Sequence, residues 1–424
     1  MERTEQTVPT RAALFAADCG DRDLERSLSE LRALAESAGM EAVFEITQRR
    51  DAPDAGCYLG EGRLAEARDL CERQEIEVCV FDDELTGTQI KNLEDQLGLP
   101  VVDRTLLILE IFAARATTNE GKLQTELAAL SYRLPRLAGL RDGLSRQGGG
   151  GTGGTGARRG AGESKLEYDR RHLRRRMELI RGKLAAIEQR RAQTRRSRQH
   201  NAVPVIALVG YTNVGKSSLL NALCGAEVIA QDQLFATLDP TARRAVLPSG
   251  QQVIFVDTVG FVSRLPHSLV DAFKSTLEEA KFADLILRVA DASDPMRDEQ
   301  LRVTGEVLAE IGAADKESAV IYNKCDRIHL AAYDGLCVSA KTGQGLDQLL
   351  KLVDEKLAAR VALVELLLPY DKLALLGALR QGGSVQREQY LPEGVRVRAL
   401  ADRRMLHQLA PYLVRDEGAW KAED

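Results

Sequence analysis

Residues 210–223 read GYTNVGKSSLLNAL. Gly210, Gly215, Lys216 and Ser217 fit the pattern GxxxxGK[ST], set between the apolar run VPVIALV and the helix-forming SSLLNAL. Strand, glycine turn and helix in that order make a phosphate cradle. Backbone N–H groups of Gly210, Tyr211, Thr212, Asn213, Val214 and Gly215 can wrap phosphates at a helix N-terminus. Lys216 then reaches the outer phosphates, and the Ser217 hydroxyl, with Ser218 beside it, is placed for magnesium. By itself the pattern also describes an ordinary glycine-rich turn, so the neighbouring sequence has to decide.

Downstream, VIFVDTVG sets Asp257 and Gly260 after an apolar run, where a carboxylate can hold a magnesium water and a glycine N–H can meet a γ-phosphate. A lone DxxG says little, since Asp and Gly commonly end strands. Next, AVIYNKCD ends another apolar run with Asn323, Lys324 and Asp326. A carboxylate there can accept hydrogen bonds from guanine N1–H and its 2-amino group, which adenine does not offer. LCVSAK places Ser339, Ala340 and Lys341 where backbone N–H groups can meet guanine O6. All four motifs occur in order, each after an expected strand, which argues for GTP and against chance.

That order resembles the translation-factor-related class of P-loop GTPases. The resemblance implies a doubly wound GTPase domain over 201–359, with Lys216, Thr237 and Gly260 as the catalytic set and GTP and GDP as ligands. It implies that FATLDPT, residues 235–241, is switch I, with Phe235 at the nucleotide and Thr237 on Mg2+ beside Ser217, Asp257 acting through water. Thr241 is the alternative sensor, and two threonines in a surface loop the plainer reading. Phe261 follows Gly260 where Ras-like enzymes carry a water-orienting glutamine, so hydrolysis by the chain alone is expected to be slow. Asn213 stands where potassium-activated relatives carry asparagine, which makes K+ a second candidate ion; turn geometry explains the same residue.

The motif begins halfway along 424 residues, enough for several domains with buried cores at 44% hydrophobic content. Formal net charge is −5, so a basic nucleic-acid surface has to be a local patch. Seven scattered cysteines without a CxxC pair argue against a disulfide framework or a zinc site. No secretion signal or membrane-length apolar run is visible, so a cytoplasmic location is expected, with peripheral membrane contact left open.

From Ala12 to Thr105, short apolar runs alternate with amphipathic stretches, predicting an N-terminal parallel α/β domain over 1–105. Residues 106–200 predict a helical hairpin around the Gly-rich basic loop 143–164, GLSRQGGGGTGGTGARRGAGES. Residues 360–424 predict a small C-terminal α+β domain. Arg146, Arg158 and Arg159 in the loop, with Arg170, Arg171, Arg174 and Arg175 beyond it, are RNA-binding candidates. A solvated charged helix is the plainer alternative.

YLGEGRLAEA (58–67), VVDRTLLILEIFAARATTNEGKLQTELAALSYRLPRL (101–137), GESKLEYDRR (162–171) and DTVGFVSRLPHSLVDAFKSTLEEA (257–280) resemble the HflX family of ribosome-associated GTPases. The resemblance implies an N-terminal half that binds the large ribosomal subunit and its rRNA, and a GTPase that splits stalled or idle ribosomes; a monomer is expected. SKLEYD stands where the family has TQLETD, so Ser164, Lys165 and Tyr168 depart from the pattern. Two other readings share the motifs: a GTPase of large-subunit assembly, and an RNA-binding module whose nucleotide tunes affinity with little turnover. Asp103, Arg104, Lys122, Glu126 and Arg136 lie in the matching stretch, as contacts to a partner or as helix caps and pairs. GEGR at 60–63 reads as a turn and helix start, with ATP binding as a weaker option.

Overall fold

The structure is a computed structural model that describes residues 9–20, 22–146, 157–200, 203–225, 241–261, 279–328, 335–382 and 384–414. The chain divides into two compact units, the first running from Met1 to Ala186 and the second built mainly from the chain after Ile187. None of the described helices is long and apolar enough to cross a membrane. All seven cysteines are free thiols.

The first unit alternates β1 (Thr10–Asp18), α1 (Leu24–Ser37), β2 (Met40–Arg49), α2 (Glu61–Arg73), β3 (Val78–Phe81), α3 (Gly87–Leu97), β4 (Val101–Asp103) and α4 (Arg104–Arg115). The sheet order is β2-β1-β3-β4, every pair parallel. Ala12 to Ala17 of β1 are fully buried, which is why the strand reads as a continuous apolar run: a central parallel strand is covered on both faces. Helix starts follow capping chemistry. The Asp23 carboxylate accepts from Arg26 N, Asp103 from Leu106 N, and Thr86 with Gln89 forms a reciprocal capping box at α3.

Two long helices follow, α5 (Asn119–Arg146) and α6 (Ala157–His200), the latter belonging to this unit as far as Ala186. The Arg176 guanidinium donates to both Glu126 oxygens, at 2.6 and 2.9 Å, joining α6 to α5. The helices enter the expected loop 143–164 from both ends, because its glycines crowd into 148–156 and leave helix formers on either side. Gly87 is needed where α3 meets α5, since a Cβ there would lie 2.5 Å from the Arg136 carbonyl oxygen.

The second unit holds a six-stranded sheet in the order β10-β9-β8-β5-β7-β6. Its strands are β5 (Val205–Gly210), β6 (Thr241–Val246), β7 (Gln252–Asp257), β8 (Leu285–Asp291), β9 (Ser318–Asn323) and β10 (Leu336–Cys337). All neighbours are parallel except the edge strand β6. Helix α7 (Lys216–Cys224) follows β5, and the helices Arg297–Glu310 and Leu346–Ala358 pack on the sheet. Ile206, Leu208, Phe255, Leu287 and Ile321 are buried at its centre, each apolar side chain worth about 1.5–3 kcal/mol of burial. Gly210, Asp257, Asp291 and Asn323 all end strands on one edge, the carboxyl side where doubly wound sheets bind ligands.

A small antiparallel sheet, β11 (Val361–Leu368), β13 (Gly394–Asp402) and β12 (Ser384–Leu391) in that order, follows, with the helix Leu373–Gly382 on one face. This is the expected α+β segment. Arg360 fastens it to the six-stranded sheet, pairing with Asp284 at 2.6 Å, while its carbonyl accepts from Arg403 N at 2.7 Å.

Candidate functional site

The turn between β5 and α7 closes around one lysine. Lys216 is buried, and its Nζ donates to the carbonyls of Gly210 (3.1 Å) and Tyr211 (2.8 Å). Burial without a full counter-charge pushes the ammonium down to about 8, although Asp257 pulls the other way. Gly260 approaches so closely that a Cβ there would sit 2.9 Å from this Nζ and 2.8 Å from Thr212 Cα. Gly210 is equally confined: a Cβ on it would lie 2.2 Å from the Val289 carbonyl oxygen.

Backbone pairing welds the glycine turn to the DTVG segment. Thr212 N donates to Phe261 O (2.7 Å) and Phe261 N to Gly210 O (3.1 Å), while the Thr258 hydroxyl donates to Leu208 O (2.7 Å). The Phe261 side chain is buried in the core of the sheet. It carries no polar group with which to orient water.

Ser217 Oγ donates to Asp257 Oδ2 at 2.5 Å, bringing a hydroxyl and a carboxylate together beside the cradle. Hard oxygen donors with one protein carboxylate suit magnesium, which keeps waters and takes its remaining ligands from substrate phosphates. The described residues contain no cluster of three or more carboxylate, His or Cys groups that could hold a metal without a substrate. Thr212 Oγ1 is buried and has no hydrogen-bond partner among the described residues, a polar atom left for a bound group to satisfy.

Asn323 ties the base-reading motifs to the cradle. Its Nδ2 donates to Val214 O (2.9 Å) and its Oδ1 accepts from Ala340 N (3.0 Å). Gly215 has φ +86°, and a Cβ on it would lie 2.4 Å from that same Nδ2. Lys324, at φ 63°, donates from Nζ to Asn213 O (2.6 Å) and pairs with Asp291 (2.8 Å). The Ser339 hydroxyl donates to Asp326 Oδ1 (2.6 Å), and that bond holds the exposed carboxyl below its ordinary range, helped by the charges of Lys341 and Arg327. Asp326 is thus an ionised acceptor near neutral pH.

Sequence reasoning missed Asp291, which accepts from Ser293 N (2.9 Å) and Ser293 Oγ (2.6 Å) while holding Lys324. Its signal was a further Asp ending an apolar run, in RVADAS, with no motif to single it out. Phe235 and Thr237 lie outside the described residues. Thr241 opens β6 in register with Asp257. Among the RNA candidates, Arg171, Arg174 and Arg175 are exposed on α6 and Arg170 is half-buried. Arg146 lies in α5 and Arg158 and Arg159 in α6, with side chains outside the described residues.

In the first unit, Asp103 and Arg104 are buried framework. Asp103 also accepts from Leu85 N (2.9 Å) and from Arg136 (3.3 Å). Arg104 spans Asp82 (2.9 Å) and Glu30 (2.5 Å). Lys122 is exposed. Gly60 is the N-cap of α2, its N–H donating to Gln48 Oε1 (2.8 Å), the turn and helix start that GEGR spells.

Three family models match in succession: "GTP-binding GTPase N-terminal" over 25–113, "GTP-binding GTPase Middle Region" over 115–198 and "50S ribosome-binding GTPase" over 205–324. GTPase HflX of Caldanaerobacter subterraneus subsp. tengcongensis is 47% identical over 408 residues, 95% of this chain and 94% of that protein. GTPase HflX of Escherichia coli is 40% identical over 408 residues, 93% of this chain and 94% of that protein. A solved GTP-binding protein from the hyperthermophilic archaeon Sulfolobus solfataricus, in complex with GDP, is 26% identical, covers 82% of this chain and 99% of that one, and superposes with a TM-score of 0.46. Sequence identity of this extent over nearly the whole length places the chain in the HflX family of GTPases.

Proposed function

We propose that this GTPase binds the large ribosomal subunit through the arginine-bearing α6 and, in its GTP-bound state, separates stalled or idle ribosomes into subunits. The observation that carries the reading is one chain joining a connected guanine-nucleotide frame to a basic helix, in a family with a segment matched by the description "50S ribosome-binding GTPase".

In the hydrolysis step, Lys216 exchanges its two carbonyl partners for outer phosphate oxygens and offsets the charge that develops on them. Backbone N–H groups of Asn213 to Lys216 and of Gly260 hold the phosphates in line. Ser217, and Asp257 through water, would hold Mg2+, which supplies charge across the outer phosphates when bound. Thr237 is proposed as the γ-phosphate sensor, with Phe235 beside the nucleotide. Asp326, with Asn323, Lys324, Ser339, Ala340 and Lys341, selects guanine. Because Phe261 offers no polar group, turnover by the chain alone is slow and the ribosome, or K+ near Asn213, completes the site. Asn213 itself has φ 60°, the left-handed turn geometry that asparagine tolerates, so equal rates in sodium and potassium would remove the K+ assignment.

Sedimentation of intact ribosomes, mixed with the full-length protein and a non-hydrolysable GTP analogue, tests the reading. Loss of intact ribosomes with the protein on the large subunit supports it, as does failure of an Arg171→Glu, Arg174→Glu, Arg175→Glu variant. Binding by neither protein sinks the ribosome assignment. The buried Phe261 side chain keeps one rival, a nucleotide-tuned RNA-binding module with little turnover, which absence of ribosome-stimulated hydrolysis would favour.

A further inference from the structure

We propose that Asp291 is a positioning residue for the bound guanine nucleotide: one of its carboxylate oxygens anchors the Lys324 ammonium, and that anchor slows GDP release. The proposal rests on the guanine-site reading of Asn323 to Asp326, and adds to it a residue outside every nucleotide motif.

Asp291 closes β8 in parallel register with Asn323 of β9, and Ala292 N donates to Asn323 O at 2.8 Å. Strand pairing therefore sets the carboxylate beside the start of the base-reading loop. Its two oxygens divide the work. Oδ1 accepts from Ser293 N (2.9 Å) and Ser293 Oγ (2.6 Å), a local turn that fixes the side chain against its own backbone. Oδ2 faces Lys324 Nζ at 2.8 Å. The side chains of Lys324 and Asp291 are only 16% and 13% exposed, so salt and water screen the pair little and the bond is a charge-assisted one.

Lys324 is held from both ends. Its backbone has φ 63°, a left-handed conformation that a residue with a side chain keeps only where its surroundings over-determine it. Its ammonium also donates to Asn213 O (2.6 Å), and its Cε would lie 4.0 Å from a Cβ on Gly215. The stem thus runs from the base loop to the phosphate turn, the two segments assigned to the two ends of the nucleotide. A flexible four-carbon stem is poorly fixed by one neutral carbonyl. The Asp291 carboxylate completes the anchor, and without it the stem swings out and one wall of the cleft opens.

Stopped-flow release of a fluorescent GDP from the full-length protein tests this. Asp291→Asn keeps an oxygen for Ser293 but turns an NH2 donor towards the ammonium. GDP should then leave about tenfold faster, the loss of one charge-assisted bond, with association little changed. Lys324→Ala should speed release at least as much, and Asp291→Asn added to it should speed release no further, because the anchor has nothing left to hold. Ser249→Ala, which breaks the 2.7 Å bond to Asp354 elsewhere in the same unit, should release GDP at the parent rate even where its thermal midpoint drops. Effects that multiply in the double variant overturn the proposal, as does a Ser249→Ala variant as fast as Asp291→Asn, because release then follows stability rather than the lysine. Asp326→Asn separates the two readings. Fast release from it beside parent-rate release from Asp291→Asn strikes the proposal and leaves the guanine site standing; parent-rate release from Asp326→Asn sinks the site and the proposal together.

Discussion

Lys216 carries the charge most at stake in the site. Its ammonium, held down to about 8 in the free protein, rises when phosphates surround it. A group with a higher pKa in the complex takes up a proton on binding, so GTP affinity should be flat below pH 8 and fall by up to about tenfold per pH unit above it. Calorimetry near pH 8.5 in buffers of different ionisation heat should show proton uptake approaching one per nucleotide; none would mean the free lysine is already fully charged. Gly215 and Gly343 make a matched pair, with φ +86° and +82°. Gly343→Ala meets no neighbour and should cost only the left-handed strain, about 1 kcal/mol, with nucleotide binding kept. Gly215→Ala drives a methyl into Asn323 Nδ2 and should abolish GTP binding in a fluorescent-nucleotide titration. Asp326→Asn removes a charged acceptor, worth about 1.5–3 kcal/mol, so GTP affinity should drop about a hundredfold while xanthosine triphosphate, which presents an acceptor there, gains.

At the scale of elements, what the sequence made legible depended on local chemistry. The strand ends were readable because Gly210, Asp257 and Asn323 each close an apolar run, and the structure lines all three along one sheet edge. The span of α6 was not, since residues 157–163 mix two glycines with helix formers and only chain continuity settles them. Long-range partners were hidden for a different reason. Nothing near Arg104 predicts Asp82 and Glu30, and nothing near Asp291 predicts Lys324, because the pairs meet only once strands have assembled. The first of these is testable: Arg104→Ala takes the 2.9 Å ion pair from the fully buried Asp82, which keeps Ser27 at 2.6 Å and Arg22 at 3.5 Å, and should destabilise the first unit by about 3 kcal/mol in denaturant unfolding. Thr86→Ala, which opens the capping box of α3, should cost only about 1 kcal/mol by the same measurement.

Across the whole molecule, a net charge of −5 coexists with the exposed arginines of α6. Binding to the large subunit should therefore weaken steeply with salt, and reversing Arg171, Arg174 and Arg175 should flatten that dependence by about 2–3 units of slope, measured by co-sedimentation. A slope unchanged by the three reversals would move the contact elsewhere. The Asn323 amide has a consequence for how the nucleotide is felt. One side chain clasps Val214 of the phosphate turn and Ala340 of the base loop, so whichever half of the ligand arrives first orders the loop meant for the other. Guanosine and pyrophosphate, added as separate molecules, should thus recruit one another, each binding several-fold tighter in the other's presence. Removing the amide would leave two strangers sharing a cleft.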